Sequence, residues 1–435
     1  MNSEYSKMLF VAIDIGKNVH WLAAYAGFAL ETVQGATKLP GNQTGFTQVT
    51  QQLDTWLADN QYEHILLGHE PTGIYHENWA RALMNRYALY RDAAQTPYLD
   101  YRFLNPLLVK RKRDVLGSGR RRKTDSIDLN AIAHCLRDGL GYPAHLPAGA
   151  ELRLALWTRR YRRLQRQQRR LGLSLRSLLD QLWPGLLVDV KRFRKMHPDL
   201  PTPVPLVLSK PLERQSLQAI LHHCPDPHYF RTLDQVGIQA FFRQHIGRCG
   251  PITAGKAFSI VSQAVLPPPD VAALLAEQLQ VEAQQYEALS QQLQQLEVEA
   301  EALVPHTPAA ILTTIPGVSP FLAARYLGYL KAHRRFNTAA QIWAFAGFDP
   351  IIEESGDYRR VGKISRKGHP GLRDTLFLIG LHTARQIPAI NRVRRRALAR
   401  GMGHVGATLH AAHKANRLCH RLLYDQIPFD PHSLR

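Results

Sequence analysis

A chain of 435 residues has room for two or three domains and a sizeable core, and a 45% share of hydrophobic residues excludes a disordered tail. Its 55 lysines and arginines against 35 acidic residues give a formal charge of +20, which favours a polyanion as partner. No apolar stretch approaches the roughly 18 residues of a membrane span, and Cys135, Cys224, Cys249 and Cys419 form no Cys-x-x-Cys pair, so a zinc ribbon and a disulfide framework are excluded and a reducing cytoplasm is expected.

The first residues lead into a short apolar run with no signal-peptide pattern. Residues 9–13, bounded by Gly16, predict a buried strand, and residues 21–25 its hairpin partner. Helical spacing over 46–59, a strand-like run at 65–68, and helical periodicity over 77–87 and 126–136 follow. This alternation up to about residue 145 argues for a sheet covered by helices. Residues 151–182 predict an arginine-rich helix with Leu164, Leu171, Leu175 and Leu178 on one stripe. Residues 184–215 are proline-rich and read as a connector; 216–262 support no assignment beyond mixed helix and loop.

The cleanest periodicity spans 271–304. Ala272, Leu275, Leu279, Tyr286, Leu289, Leu293, Leu296, Ala300 and Leu303 follow steps of three and four, interrupted at Glu282. The pattern predicts a coiled coil, between subunits or as a hairpin; the alternative is one long amphipathic helix packed within its own chain. Residues 309–425 read as a second, mostly helical domain.

Four carboxylates stand out in so basic a chain. Asp14 ends the first strand-like run and Glu70 the later one, while Asp125 and Asp128, three apart, share a helix face. Converging carboxylates are the usual hard-oxygen site for Mg²⁺, and a pair of such ions suits phosphodiester chemistry. Taken singly, each residue is more often a helix cap or a solvated charge. Lys110, Arg111 and Arg113, followed by Arg120, Arg121, Arg122 and Lys123, form basic runs beside the second acidic pair, placed to deliver a phosphate backbone; the bland reading is a solvated charge run. Residues 315–319 are similar to the turn of a helix-hairpin-helix, where Gly317 would let backbone amides approach a phosphate. Ser355 is read in a flexible loop flanked by Arg359, Arg360, Lys363, Arg366 and Lys367, where a hydroxyl meets a phosphate; a loop serine is more often only a turn former.

The chain resembles the DEDD transposases of bacterial insertion sequences, the group related to Piv-type DNA invertases and called bridge recombinases. The resemblance rests on "DIGK" with Asp14, "HEPTG" with Glu70 and "KTDSID" with Asp125 and Asp128. Farther on it rests on "IPGVSPFLAARYLGYL", "FNTAAQIWAFAGFDP" and "SGDYRRVGKISRKGHPGLRDTL". Arg366-Lys367 inverts the family order and His369 departs from it. The resemblance implies an α/β RuvC-like (RNase H-like) catalytic domain over 1–145. A helical and coiled-coil region would follow over 146–308, with an insert near 197–262 that has no counterpart, and then a mainly α-helical transposase domain over 309–435. It further implies two Mg²⁺ ions held by Asp14, Glu70, Asp125 and Asp128, and attack by Ser355 on a DNA phosphate to give a 5′-phosphoserine link. Strand exchange would be guided by a structured noncoding RNA pairing with target and donor DNA. Arg159, Arg163, Arg166 and Arg170 are expected to hold nucleic acid through its backbone, and a homodimer or homotetramer to form through the coiled coil, acting on the nucleoid in the cytoplasm. The competing reading is a hydrolytic RuvC-like Holliday-junction endonuclease with water as nucleophile; a non-catalytic RNA- or DNA-binding protein would leave four carboxylates without a use.

Overall fold

Strand β1 (Met8–Ile15) is apolar on both faces because it lies inside a six-stranded sheet. The computed structural model describes residues 5–59, 61–71, 73–116, 124–207, 210–355 and 358–433, with backbone alone at 352–355 and 358–363. The sheet order is β3-β2-β1-β4-β5-β6, with β2 (Val19–Ala26), β3 (Glu31–Pro40), β4 (His64–His69), β5 (Tyr98–Leu104) and β6 (Gly141–Pro143). β1, β2 and β3 run antiparallel, β1, β4 and β5 parallel, and β6 antiparallel to β5.

The two-residue alternation of strand side chains sorts the core into two layers. Leu9, Val11 and Ile13 join Ile65, Leu67, Tyr101 and Phe103 under helices α1 (Gln43–Ala58) and α2 (Tyr75–Arg86). Phe10, Ala12, Leu66 and Leu104 face the other way, under α3 (Pro106–Leu116) and α4 (Asp125–Arg137). Helix α4 starts where Thr124 caps it, its hydroxyl accepting the Ile127 amide. It lies close on the sheet at Gly68, where a Cβ would stand 2.6 Å from the Leu136 side chain.

The predicted elements of this half are present: both early strands, the strand at 65–68, and all three helices. Two strands carry no legible signal. In β3 only Leu39 is buried, so an exposed edge lacks alternation. In β5 the charges of Asp100 and Arg102 disguise a buried strand, because the two pair at 2.7 Å.

The chain forms two compact units interleaved along the sequence: residues 1–152, 330–368 and 416–426, and residues 153–329, 369–415 and 427–435. The second is built on two long helices, α5 (Gly149–Leu182) and α9 (Pro269–Leu303). They run antiparallel. The Trp157 indole donates to the Leu296 carbonyl at 2.7 Å, the Tyr161 hydroxyl to Glu297 at 3.0 Å, and the Gln168 amide to Ser290 at 2.8 Å. The Tyr286 ring packs over Gly172. The stretch 216–262, read from sequence only as mixed helix and loop, is carried by helices α6 (Gln215–His223), α7 (Gln235–Ile246) and α8 (Pro251–Gln263). Leu217, Ile220, Phe242, Ala257 and Val261 of this bundle share one core with Leu179 and Leu182 of α5 and Ala272 and Leu279 of α9. Helix α10 (Pro320–Leu330) crosses α5 at Gly328, where a Cβ would lie 2.7 Å from the Leu154 carbonyl oxygen.

The α9 seam packs over its buried positions inside its own chain. Its register differs from the expected one: Ala276 and Ala283 are buried beside Ala272, Leu279, Leu293, Leu296 and Ala300, while Leu275 is only half-buried. Alanine lets facing side chains approach closely, and the seam turns so that Glu282 sits on its flank, bonded by Gln278. Among the described residues no helix is long and apolar enough to cross a membrane. Leu293→Glu should therefore lower stability by several kcal/mol, through a buried unpaired carboxylate, by an amount independent of protein concentration. Urea unfolding at two concentrations checks this; a midpoint that moves with concentration would return the seam to an intersubunit role.

Candidate active site

The acidic residues occupy the carboxyl ends of β1 and β4. These strands are parallel neighbours, with Ile13 opposite His69, so Asp14 and Glu70 follow at the same level. Asp14 continues the Phe10–Ala12 parity and Glu70 that of Leu66 and Gly68, the face covered by α4. Asp128 stands in the first turn of α4 and is buried, whereas Asp125, the first residue of the same turn, is exposed.

Arg113 of α3 ties this end together. Its guanidinium donates to Asp128 Oδ1 at 2.7 Å. That hydrogen bond, reinforced by the charges of Asp128, Glu70 and Asp114, pushes its pKa up, so it is a fixed cation. No group of three or more His, Cys, Asp or Glu side chains is gathered as a metal-holding cluster among the described residues. Asp128 instead has Arg113 as its counter-ion.

The second block is differently arranged. Residues Pro350–Ser355 (β7) and Tyr358–Ile364 (β8) pair as an antiparallel hairpin, with Ser355 opposite Tyr358. The flexible loop expected around Ser355 is thus a strand end whose backbone is held by pairing. The hairpin belongs to the same compact unit as the acidic end of the sheet.

A model of the Transposase IS116/IS110/IS902 family matches residues 309–395, and the DEDD model of the IS110 transposases matches residues 11–184. Over these two spans the chain is similar to transposases of the IS110/IS116/IS902 family. It is 27% identical over 337 residues to the Streptomyces coelicolor protein named "Mini-circle putative transposase for IS117", covering 75% of this chain and 76% of that protein. A second protein of that organism, the "Insertion element IS110 uncharacterized 43.6 kDa protein", is 30% identical over 139 residues, 32% of this chain and 34% of its own length. Asp14, Glu70, Asp125 and Asp128 all fall within the first matched span in chain order, 11–184, and Gly317 and Ser355 within the other, 309–395.

The basic residues of the chain divide by use. Lys110 and Arg111 are exposed, while Lys112 pairs with Asp138 and Arg113 with Asp128, so half of that run is structural. Arg159, Arg163, Arg166 and Arg170 project from the exposed side of α5, and Arg366 and Lys367 are exposed after the hairpin. Arg120, Arg121, Arg122 and Lys123 lie outside the described residues, as do the side chains of Arg359, Arg360 and Lys363. Gly317 uses its freedom for packing: at φ +91 it meets the His382 backbone of α11 (Pro370–Gln386), where a Cβ would lie 2.8 Å away. His369, the departure from the family motif, caps α11 by accepting the Leu372 amide at 3.2 Å.

Sequence reasoning missed His69. It points away from the acids, fully buried, and burial pushes its pKa down to about 3. Burial also raises the Tyr101 pKa, so Tyr101 keeps its proton and donates to His69 Nε2 at 2.7 Å; Nδ1–H then donates to the Glu70 carbonyl at 3.0 Å. His69 is a positioning residue that pins the backbone of Glu70. Its only sequence signal is adjacency to Glu70 at the end of an apolar run.

Asp128 meets a guanidinium at this end of the sheet, so its buried charge is balanced from within the chain. Arg113→Ala should cost about 1–3 kcal/mol by stranding a buried carboxylate, and Asp128→Asn in the same chain should recover part of it. A urea double-mutant cycle measures this; additive losses would mean the pair is not coupled. His69 favours its neutral form in the fold, so its contribution is complete above the unfolded pKa near 6.5. It is lost as pH falls from there towards about 3, at about 1.4 kcal/mol per pH unit. Chemical unfolding across that window should show the slope, and His69→Gln should flatten it.

Proposed function

We propose that this chain is a transposase that cuts and rejoins DNA strands at the carboxyl ends of β1 and β4, using Ser355 as nucleophile. The observation that carries the reading is the level pairing of β1 with β4, which brings Asp14 and Glu70 to one edge of the sheet, inside a chain of charge +20. The order β3-β2-β1-β4-β5, antiparallel then parallel, supports a RuvC-like (RNase H-like) assignment. Asp14, Glu70, Asp125 and Asp128 would hold Mg²⁺, which supplies charge stabilisation at the phosphate and at the departing oxygen.

The serine oxygen forms a bond to phosphorus as the bond from phosphorus to the 3′ oxygen breaks. The serine proton passes to a nearby base, the 3′ oxygen leaves as a hydroxyl after protonation, and the 5′ phosphate stays on Ser355. Attack by a 3′ hydroxyl of the other duplex reverses these bonds and exchanges strands. Placement of the Ser355 hairpin in the same compact unit as the acids supports one composite centre. The exposed arginines of α5 suit the backbone of a structured guide RNA, read without sequence contacts.

Asp14→Ala and Asp125→Ala should abolish strand cleavage while DNA binding persists, since a negative charge leaves the groove. Ser355→Ala should remove the covalent protein–DNA adduct, read as a band that survives SDS, and the recombinant product with it. Free ends released by Ser355→Ala would overturn the serine mechanism in favour of hydrolysis by water.

A further inference from the structure

Residues 197–262 lie between the two spans matched by the family, yet they fold into a helical body with a chemically distinctive cavity. The cavity, about 640 Å³, is lined by Arg214, Arg243 and Arg248 with the hydroxyl residues Ser216 and Thr253, and no carboxylate lines it. The guanidinium groups of Arg243 and Arg248 on one hollow repel each other, and an entering anion relieves that repulsion. Among the described residues no carboxylate pairs with Arg243 or Arg248. By contrast, Arg231 in the same body is committed to the carbonyls of Val261 and Ala264.

The wall of the cavity is the loop Gly247-Arg248-Cys249-Gly250, which joins α7 to α8. Gly247 ends α7 at φ +73, its amide bonded to the Arg243 carbonyl. Gly250 starts α8 without any side-chain cap, and α6 starts at Arg214 likewise uncapped. No atom lies within 4 Å of where a Cβ would stand on either glycine, so the loop backbone is open to a ligand. Two glycines enclosing two residues between helices is the spacing with which a loop grips a nucleic-acid backbone closely. Two helix starts facing the same hollow add partial positive charge.

We infer that this loop, with Arg214 and Arg243, is a clamp for the phosphodiester backbone of a nucleic-acid strand. It reads charge and spacing, and its ligand is recognised independently of cleavage at the acidic end of the sheet.

The test uses the full chain, short fluorescent single-stranded RNA, single-stranded DNA and duplex DNA, and anisotropy titrations over a range of salt. The pair Arg243→Ala with Arg248→Ala should weaken binding about tenfold. It should also lower the slope of log affinity against log salt by about 1.4, or 0.7 for each lost single-strand phosphate contact. The pair Arg243→Lys with Arg248→Lys keeps the charge and should keep the slope. Loss confined to RNA or to DNA assigns the strand that the clamp holds. Unchanged affinity and slope on all three probes overturns the inference, as does an equal loss in the alanine and lysine pairs, which would point to packing. The clamp is read from binding constants and salt slopes and the cleavage chemistry from the SDS-stable adduct, so a failure of one reading and a failure of the other appear in separate measurements.

Discussion

The parallel register of β1 on β4 is the constraint from which the acidic end follows. With Ile13 opposite His69, the next residues along both strands are carboxylates at one level. A slip of one residue would turn one of them into the opposite layer, among Trp79 and Phe103. The register is protected on both faces. Gly68 accepts the close approach of Leu136 from α4, and His69 locks into Tyr101 on the other side. Packing and chemistry therefore share the same residues, which alternate along the last turn of one strand.

Much of this was legible in the sequence. The apolar runs at β1 and β4 are buried on both sides and read as strands without context, and the arginine-rich and glutamine-rich helices announced themselves by period. What was hidden had specific reasons. The Asp100–Arg102 pair makes β5 look like a loop until the two charges are seen to cancel. β3 is an edge with nothing to alternate. The α9 seam was misregistered because alanine, at Ala276 and Ala283, carries little hydrophobic signal while permitting the tightest packing.

The candidate site was legible as a list of residues and illegible as a geometry. Asp14, Glu70, Asp125 and Asp128 could be named from their positions at strand and helix ends. Sequence could not say that Arg113, one of four consecutive cations, turns inward to Asp128 while Lys110 and Arg111 face solvent. Helical rotation decides that, and it needs the position of α4. Ser355 likewise changed from a loop residue to the end of a paired strand, because the turn residues around it were read without their partner strand.

Under the proposed function, the inward turn of Arg113 would make cation uptake at this end of the sheet an exchange reaction. An incoming divalent ion meets Asp128 already neutralised, so it must share that carboxylate or drive the guanidinium off it. Its apparent affinity is then set by a difference between two attractions, and falls below what the number of carboxylates alone would give. A displaced guanidinium, still held by α3, is left beside the same edge as a tethered cation, and a phosphate arriving there would find it already waiting.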